Sequence, residues 1–307
     1  MKFTHLHTHT HYSLLDGLSQ IPDMLDYAKN LGMDSLAITD HGNIYGAVEF
    51  FKEAKKRGMK PIIGCEVYVA FEKMTDMRPN IDSKRYHLIL LAKNQEGYKN
   101  LVKLITKAHL EGFYYKPRID EELLFKHTEG LICLSACIQG KIPQLIIEGN
   151  LETAKETIKK YASAFGKNNF YLELQHHPNI PEQKKVNDAL IKFSKELDLP
   201  LIATNDIHYL KPEDNYPQDI LMMINTGTTI EDKERLSMIN EDFSMRSPEQ
   251  MAKDFSHVQE AIENSQKIVD ACNFEFELGK YKLPHFEIPT GQKEEDYLKD
   301  LCVKGLK

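Results

Sequence analysis

"SLAITDHGN", residues 35–43, decides how this chain folds. An apolar, partly β-branched run that ends directly in Asp40, His41 and Gly42 reads as a strand covered on both faces, leaving its sheet at a titratable pair. A helical pattern over 44–57 follows at once, so the stretch is the hinge of a strand–helix unit. The same unit recurs outward from it. Short apolar runs at 2–7, 35–39, 61–70, 86–92, 130–135, 170–175 and 200–204 predict strands, and amphipathic patterns at 20–31, 44–57, 95–109, 137–148, 151–165 and 182–198 predict helices. Gly, Asn or Pro punctuates the helical patterns, as in "NLGMD", "KRGMKP" and "LDLPLI". Strands alternating with helices imply a parallel sheet, open or closed by pattern alone. The polar residues favour a closed α/β barrel. Asp40–His41, Glu66, and the pair Asp206 and His208 fall toward the ends of three different strands, the rim where a barrel collects one site from many strands.

The chain has 307 residues, enough for one large α/β barrel or two ordinary domains. With 41% hydrophobic and 28% charged residues it has the composition of a soluble globular protein. No run approaches ~18 apolar residues, and "MKFTHLH" lacks a signal-peptide core, so the expected location is cytosolic, without membrane contact. Five scattered cysteines form neither a disulfide framework nor a CxxC knuckle; "CLSAC" (133–137) reads as a strand end. Acidic residues outnumber basic ones 46 to 39, so nucleic-acid contacts must be local. "KEAKKRGMK" (52–60), "YYKPRID" (114–120) or a metal centre could supply them, although 52–60 reads first as the solvated face of a helix.

The candidate chemistry lies at the strand ends. "HLHTHTHYS" (5–13) spaces four imidazoles two apart, and an extended chain puts alternate residues on one face. His7 and His9 make an HxH pair suited to one metal, while His5 and His11 read as histidines in water. In "PIIGCEVYV" (61–69), Glu66 sits inside an apolar strand, where a charge costs several kcal/mol unless paired or coordinated. "YHLILLAKN" (86–94) buries His87 similarly, and "ATNDIHYL" (203–210) ends a strand with Asp206 and His208 two apart. So much imidazole and carboxylate on one rim calls for a cation, and the mixture favours Zn²⁺, Mn²⁺ or Fe²⁺ over Mg²⁺ or Ca²⁺. That many ligands imply more than one ion, an arrangement suited to hydrolysing phosphate esters.

Taken in order, these segments resemble the PHP domain, the polymerase and histidinol phosphatase superfamily, over roughly residues 1–275. The resemblance implies a distorted seven-stranded β/α barrel with a trinuclear metal site on its C-terminal rim. It implies as ligands His7, His9, Asp16 (in "LLDG"), His41, Glu66, His87, Cys137 (in "LSACIQG"), Asp206 and His208, with Glu66 bridging. One grouping places His7, His9, Glu66 and Asp206 on one ion, Glu66, His87 and Cys137 on a second, and Asp16, His41 and His208 on a third. Asp16 and Cys137 stand where the stand-alone phosphatases tend to have His, and a thiolate favours zinc. "HYSLLDGLSQI", "GFYYKPRID" and "LPHFEIPTGQKEEDYLKDLCVKGL" are further similar to the N-terminal part of the C-family replicative polymerases, the bacterial DNA polymerase III alpha subunits.

That similarity implies two or three divalent ions, a 3′–5′ exonuclease activity on DNA ends, and as partners DNA, the remainder of the polymerase chain and other replisome subunits. Arg118 in "YYKPRID" is the expected phosphate clamp, since its fork suits phosphate oxygens. Two other readings stay open. One is a free-standing phosphoesterase of histidinol-phosphatase type, and the other a non-catalytic scaffold module of the polymerase. Residues 209–250 are expected to carry a helix at 215–225 and a mobile loop. The Pro/Gly-marked stretch from 276, helical from about 293, reads as a linker and first helix leading toward a palm domain beyond Lys307, so this chain by itself should not polymerise.

Overall fold

In the computed structural model, which describes residues 2–281, 283–289 and 291–306 (the Lys167 side chain excepted), the run around Glu66 becomes the longest strand and the spine of the sheet. In chain order the elements are α1 (Ile21–Asn30), β1 (Ser35–Ile38), α2 (Ala47–Lys56), β2 (Lys60–Ala70), β3 (Arg85–Ala92), α3 (Gln95–Leu110), β4 (Phe113–Tyr114), β5 (Lys116–Ile119), α4 (Glu121–Phe125) and β6 (Leu131–Leu134). They continue with α5 (Lys141–Ile147), α6 (Leu151–Phe165), β7 (Phe170–Gln175), α7 (Pro181–Leu197), β8 (Leu201–Thr204), α8 (Asn215–Thr226), α9 (Pro248–Asp254), α10 (Gln259–Ala271) and α11 (Glu294–Gly305). The backbone divides into two units, Met1–Glu275 and Phe276–Lys307, the second containing α11.

Within the first unit the sheet runs β1–β2–β3–β6–β7–β8, with the small β4–β5 hairpin on the far end of β2. The stretch expected as a first strand, 2–7, forms no regular strand, and just beyond it Thr8 makes one isolated bridge to Ile207. It still closes the sheet. Ala37 N donates to His5 O (3.1 Å) on one side, and Ile207 N to His7 O (3.2 Å) and His9 N to Ile207 O (2.8 Å) on the other. Segment 4–9, β1, β2, β3, β6, β7 and β8 are thus the staves of a distorted seven-stranded barrel.

The parallel-sheet expectation needs one correction: β3 is antiparallel to both β2 and β6. Residues 71–84 contain no helix to carry the chain back across the sheet, so β3 returns in the opposite direction. This puts the start of β3, and with it His87, at the mouth where the parallel strands end.

Strand alternation sorts the apolar residues into two layers. Ile62, Ile89, Leu91, Ile132, Leu134, Tyr171 and Ile202 pack with Leu6 and Ala37 inside the barrel, where Ile268 and Val269 of α10 join them. Leu88, Leu90, Leu131, Cys133, Phe170, Leu172, Leu174 and Leu201 face the helices, against Leu101, Leu104, Ile158, Val186 and Leu190. Each such side chain is worth about 1.5–3 kcal/mol when fully buried. The same inward parity aims three titratable side chains into the barrel. Glu66 shares it with Ile62, His87 with Ile89, and Glu173 with Tyr171.

The helix expected at 137–148 begins only at Lys141. Ala136 adopts a left-handed backbone (φ 64°), which leaves Cys137 in a turn at the rim. The loop after α8 is pinned rather than loose: Arg235 forms a two-pronged pair with Asp219 (2.6 and 2.7 Å), and Tyr209 Oη donates to Glu241 O (3.1 Å). No described helix is long and apolar enough to cross a membrane.

Candidate metal centre

Local structure aims each side chain before any cation is considered. In the loop after the first stave, Asp40 accepts from Thr10 N (2.7 Å), Thr10 Oγ1 (2.9 Å) and Ser13 Oγ (2.7 Å), and Ser13 Oγ also lies 3.0 Å from His9 Nδ1. Asp40 therefore holds the loop that holds His9. Gly17 permits the same loop to fold back, because a Cβ there would sit 1.9 Å from Thr10 O; this turn presents Asp16. Asp206 itself has φ 51°, a strained backbone for a non-glycine residue, and its carbonyl receives His208 Nδ1 at 2.7 Å, leaving His208 Nε2 facing the centre.

All nine residues implied as ligands meet. His7 Nε2 lies 3.0 Å from Asp206 Oδ1 and 3.7 Å from Glu66 Oε1. His9 Nε2 lies 3.2 Å from Asp206 Oδ1 and 3.5 Å from Glu66 Oε2. Glu66 also approaches His41 Nδ1 (2.5 Å) and His87 Nδ1 (2.6 Å). Asp16 Oδ1 is 3.3 Å from His41 and 3.9 Å from His208, and Cys137 Sγ is 3.7 Å from His87 Nδ1. Three sets have donor atoms close enough to share an ion: His7, His9 and Glu66; His41, Glu66 and His87; and His9, His41 and His208. The last set draws His9 toward the third grouping as well as the first.

The atoms at this centre lack the partners a buried polar group requires. His7 Nε2, His9 Nε2, His41 Nδ1, Asp16 Oδ1, Asp206 Oδ1 and both carboxylate oxygens of Glu66 are buried with no aligned hydrogen bond among the described residues. Leaving so many unsatisfied costs about 1–3 kcal/mol apiece. All are lone-pair donors pointing at one another, and a divalent cation satisfies them together. The residues present therefore fit a metal centre.

The electrostatics agree. Burial alone would raise Glu66, but the imidazoles of His87 and His41 hold its carboxyl well below the usual range. Asp206 is likewise held low, against burial, by His7 and His208. Burial opposes charge on His7, yet Asp206 and Glu173 hold it well above its ordinary value. His9, buried and flanked by His41 and His208, falls to about 3. Burial also pushes the Cys137 thiol well up, with Asp206 and Glu66 adding to it, so only a bound cation would make it a thiolate ligand.

Two expectations are corrected. Arg118 is fully buried, and its guanidinium donates to four backbone carbonyls: Gly112 (3.1 Å), Asp82 (2.6 Å), Met74 (2.8 Å) and Asp76 (2.9 Å). It ties the 71–84 connection to β5 and has no fork left for phosphate. His5 is not in water either. It is fully buried, with Nε2 2.8 Å from Arg246 O and its ring edge-on to Phe3. His11 is half-buried against Tyr12.

Sequence reasoning missed Glu173, which is 2% exposed and holds His7 Nδ1 at 2.7 Å while accepting from Thr204 Oγ1 (2.5 Å) and Gln175 Nε2 (3.1 Å). The signal was present: "FYLELQ" carries a carboxylate inside a buried strand, as "GCEVYV" does. The centre opens into a cavity of about 720 Å³, lined on one flank by Lys84, Arg85, Lys116, Phe71 and Tyr86. Arg85 and Lys116 both lie over the Tyr68 ring, at 5.3 and 5.9 Å.

Residues 5–177 match the family model described as the PHP domain. The chain belongs to the PHP domain family. It is 47% identical over 309 residues to the DNA polymerase III subunit alpha of Borreliella burgdorferi, covering 100% of this chain and 27% of that protein. The corresponding subunit of Treponema pallidum is 44% identical over 308 residues (100% and 26%), and that of Thermus aquaticus 42% over 316 residues (100% and 26%). This PHP chain thus spans about a quarter of the length of the curated relatives it matches.

Proposed function

We propose that this PHP domain is the N-terminal hydrolase module of a bacterial DNA polymerase III alpha subunit, cutting phosphodiesters from DNA 3′ ends with two or three divalent ions (Zn, Mn or Fe). The observation that carries this reading is Glu66. A fully buried carboxylate with both oxygens unsatisfied, among five histidines and two aspartates, is built to be shared between cations.

His7, His9, Glu66 and Asp206 would hold one ion, Glu66, His87 and Cys137 a second, and Asp16, His41 and His208 a third. When bound, such ions supply hydroxide near neutral pH and neutralise charge on phosphate oxygens. The chain supplies the rest. Glu173 and Ser13 fix the rings of His7 and His9, and the Asp206 carbonyl fixes His208, so the donor set is preorganised. Lys84, Arg85 and Lys116 put cations on the approach to the centre, the part first expected of Arg118. A local basic flank suits an acidic protein that must attract phosphate at one place only. Likeness to the polymerase subunits supports work in the cytoplasm, beside the polymerase chain and its replisome partners.

The test is a 3′-labelled oligonucleotide and a phosphomonoester, each offered to the protein with Mn²⁺ or Zn²⁺, alongside His9→Ala. Stepwise loss of nucleotides from the 3′ end, abolished in the variant, supports the reading. Faster cleavage of the monoester would make the chain a small-molecule phosphatase. Metal uptake without hydrolysis of either would make it a scaffold, and equal nuclease signal from His9→Ala would assign the activity to a contaminant.

A further inference from the structure

On another flank of the cavity, after β7, stands a histidine that the metal centre does not use. His177 lines the cavity, is 2% exposed, and neither of its ring nitrogens has a hydrogen-bond partner among the described residues. Its ring lies 4.4 Å from that of Phe243, and Phe243 in turn meets His208 edge-on at 5.8 Å. Gln183, 4% exposed, lines the same cavity; its amide nitrogen donates to Asn187 (3.0 Å) while its carbonyl oxygen is unpartnered. A buried imidazole with two unpaired nitrogens and a buried amide with an unpaired oxygen are costly to a fold. Such groups persist where a ligand completes them.

We propose that His177, with Gln183 in the wall of the same cavity, hydrogen-bonds an uncharged polar group of the terminal nucleoside, its base edge or sugar hydroxyl. The inference rests on the nucleotide-hydrolysing reading of the same cavity and assigns a contact that reading leaves out.

The chemistry of the wall selects the group. Burial holds His177 down, to about 4, with the nearby Asp206 charge opposing and Arg246 adding, so the ring is neutral at physiological pH. A neutral imidazole offers one donor and one acceptor, and the Gln183 oxygen offers a second acceptor. Base edges and hydroxyls present mixed donors and acceptors. A phosphate presents acceptors alone and is better served by Lys84, Arg85, Lys116 and the cations. The cavity therefore divides its labour: charge holds the backbone, and the neutral wall holds the nucleoside that is to be released. Phe243, packed on His177, fixes the plane of the ring.

The experiment uses the 307-residue chain loaded with Zn²⁺, thymidine 5′-monophosphate as probe and inorganic phosphate as control. In wild-type protein the ring resonances of His177, followed by ¹⁵N-edited NMR, are expected to shift with the nucleotide and not with phosphate. His177→Phe, which keeps an aromatic ring against Phe243, is expected to weaken nucleotide binding about tenfold while leaving phosphate binding and zinc content unchanged. His177→Gln restores part of the loss. Unmoved resonances, no nucleotide binding at millimolar concentration, or equal nucleotide affinity in His177→Phe would each overturn the assignment. If His177→Phe proves unfolded, the wild-type resonances decide. Nucleotide binding through His177 without any 3′ hydrolysis would sink the nuclease reading and spare this one. Hydrolysis with unaltered KM in His177→Phe would do the reverse.

Discussion

His7 Nδ1 lies 2.7 Å from Glu173 Oε1 across 166 residues of sequence, and both side chains are fully buried. The contact fixes which imidazole nitrogen faces the centre and adds electron density to the ring. Glu173→Gln keeps the shape and removes the charge. Metal retention in competition with a chelator should fall about 10- to 100-fold, with the far-UV circular dichroism spectrum unaltered. Unchanged retention would show that Thr204 and Gln175, not His7, are what Glu173 serves.

Arg118 separates architecture from binding. Its guanidinium satisfies four carbonyls, three of them in buried bonds, and Arg118→Met removes every donor while keeping bulk. Stability from urea denaturation should drop by about 3 kcal/mol or more. Below the melting range, the affinity for a 3′-ended oligonucleotide should stay at the wild-type value. Arg85→Ala should behave oppositely, with near-normal stability and a salt slope of binding reduced by about 1. Weakened DNA binding in a folded Arg118→Met protein would restore the clamp first expected of it.

The barrel was legible because strand-length apolar runs and helix-period patterns alternate, and because the polar exceptions fall at strand ends. What the pattern could not carry was direction: whether β3 runs with or against β2 depends on 71–84, which has neither hairpin nor helix character. The nine residues that meet at the centre were accessible through motif order, and seven of them also as titratable residues in or at the ends of strands. Asp16 and Cys137 depended on the resemblance alone, since both sit in turns whose aim is set by local backbone geometry that residue type does not reveal, Gly17 folding back on Thr10 and the left-handed Ala136. Arg118 misled because a guanidinium fork suits carbonyl oxygens as well as phosphate ones. Residue type does not tell which of them the fold supplies.

Removing the ions should loosen the barrel without unfolding it. In their absence the carboxylates and imidazoles already offset one another, as the low Glu66 and the raised His7 indicate. Cations that bind the folded chain alone add about 4 kcal/mol at a thousandfold excess over Kd, a Tm change on the order of 10 °C for a domain of this size. Differential scanning calorimetry should show that drop with a chelator and its reversal with Zn²⁺ or Mn²⁺. Glu66→Gln should respond far less to either addition. A Tm indifferent to chelator in wild-type protein stripped and reloaded with metal would argue that the centre does not bind ions.

His5 gives the fold an acid limit of its own. Burial lowers its pKa from 6.5 to about 4, the bond to the Arg246 carbonyl offsetting this only in part. Above pH 6.5 the ring is neutral folded or unfolded, and its contribution is fully present. As pH falls from 6.5 toward 4 the unfolded chain takes up the proton first, so stability is lost over that window, by about 3 kcal/mol in total. His5→Gln removes the titration and retains a donor for the Arg246 carbonyl. With a chelator present throughout, so that acid release of metal cannot contribute, urea midpoints of the two proteins should converge as pH drops from about 7 to about 4.5. The variant's curve should be the flatter one. Parallel curves would mean that the ring finds water or an anion on protonation, and that the acid limit of this barrel lies in other residues.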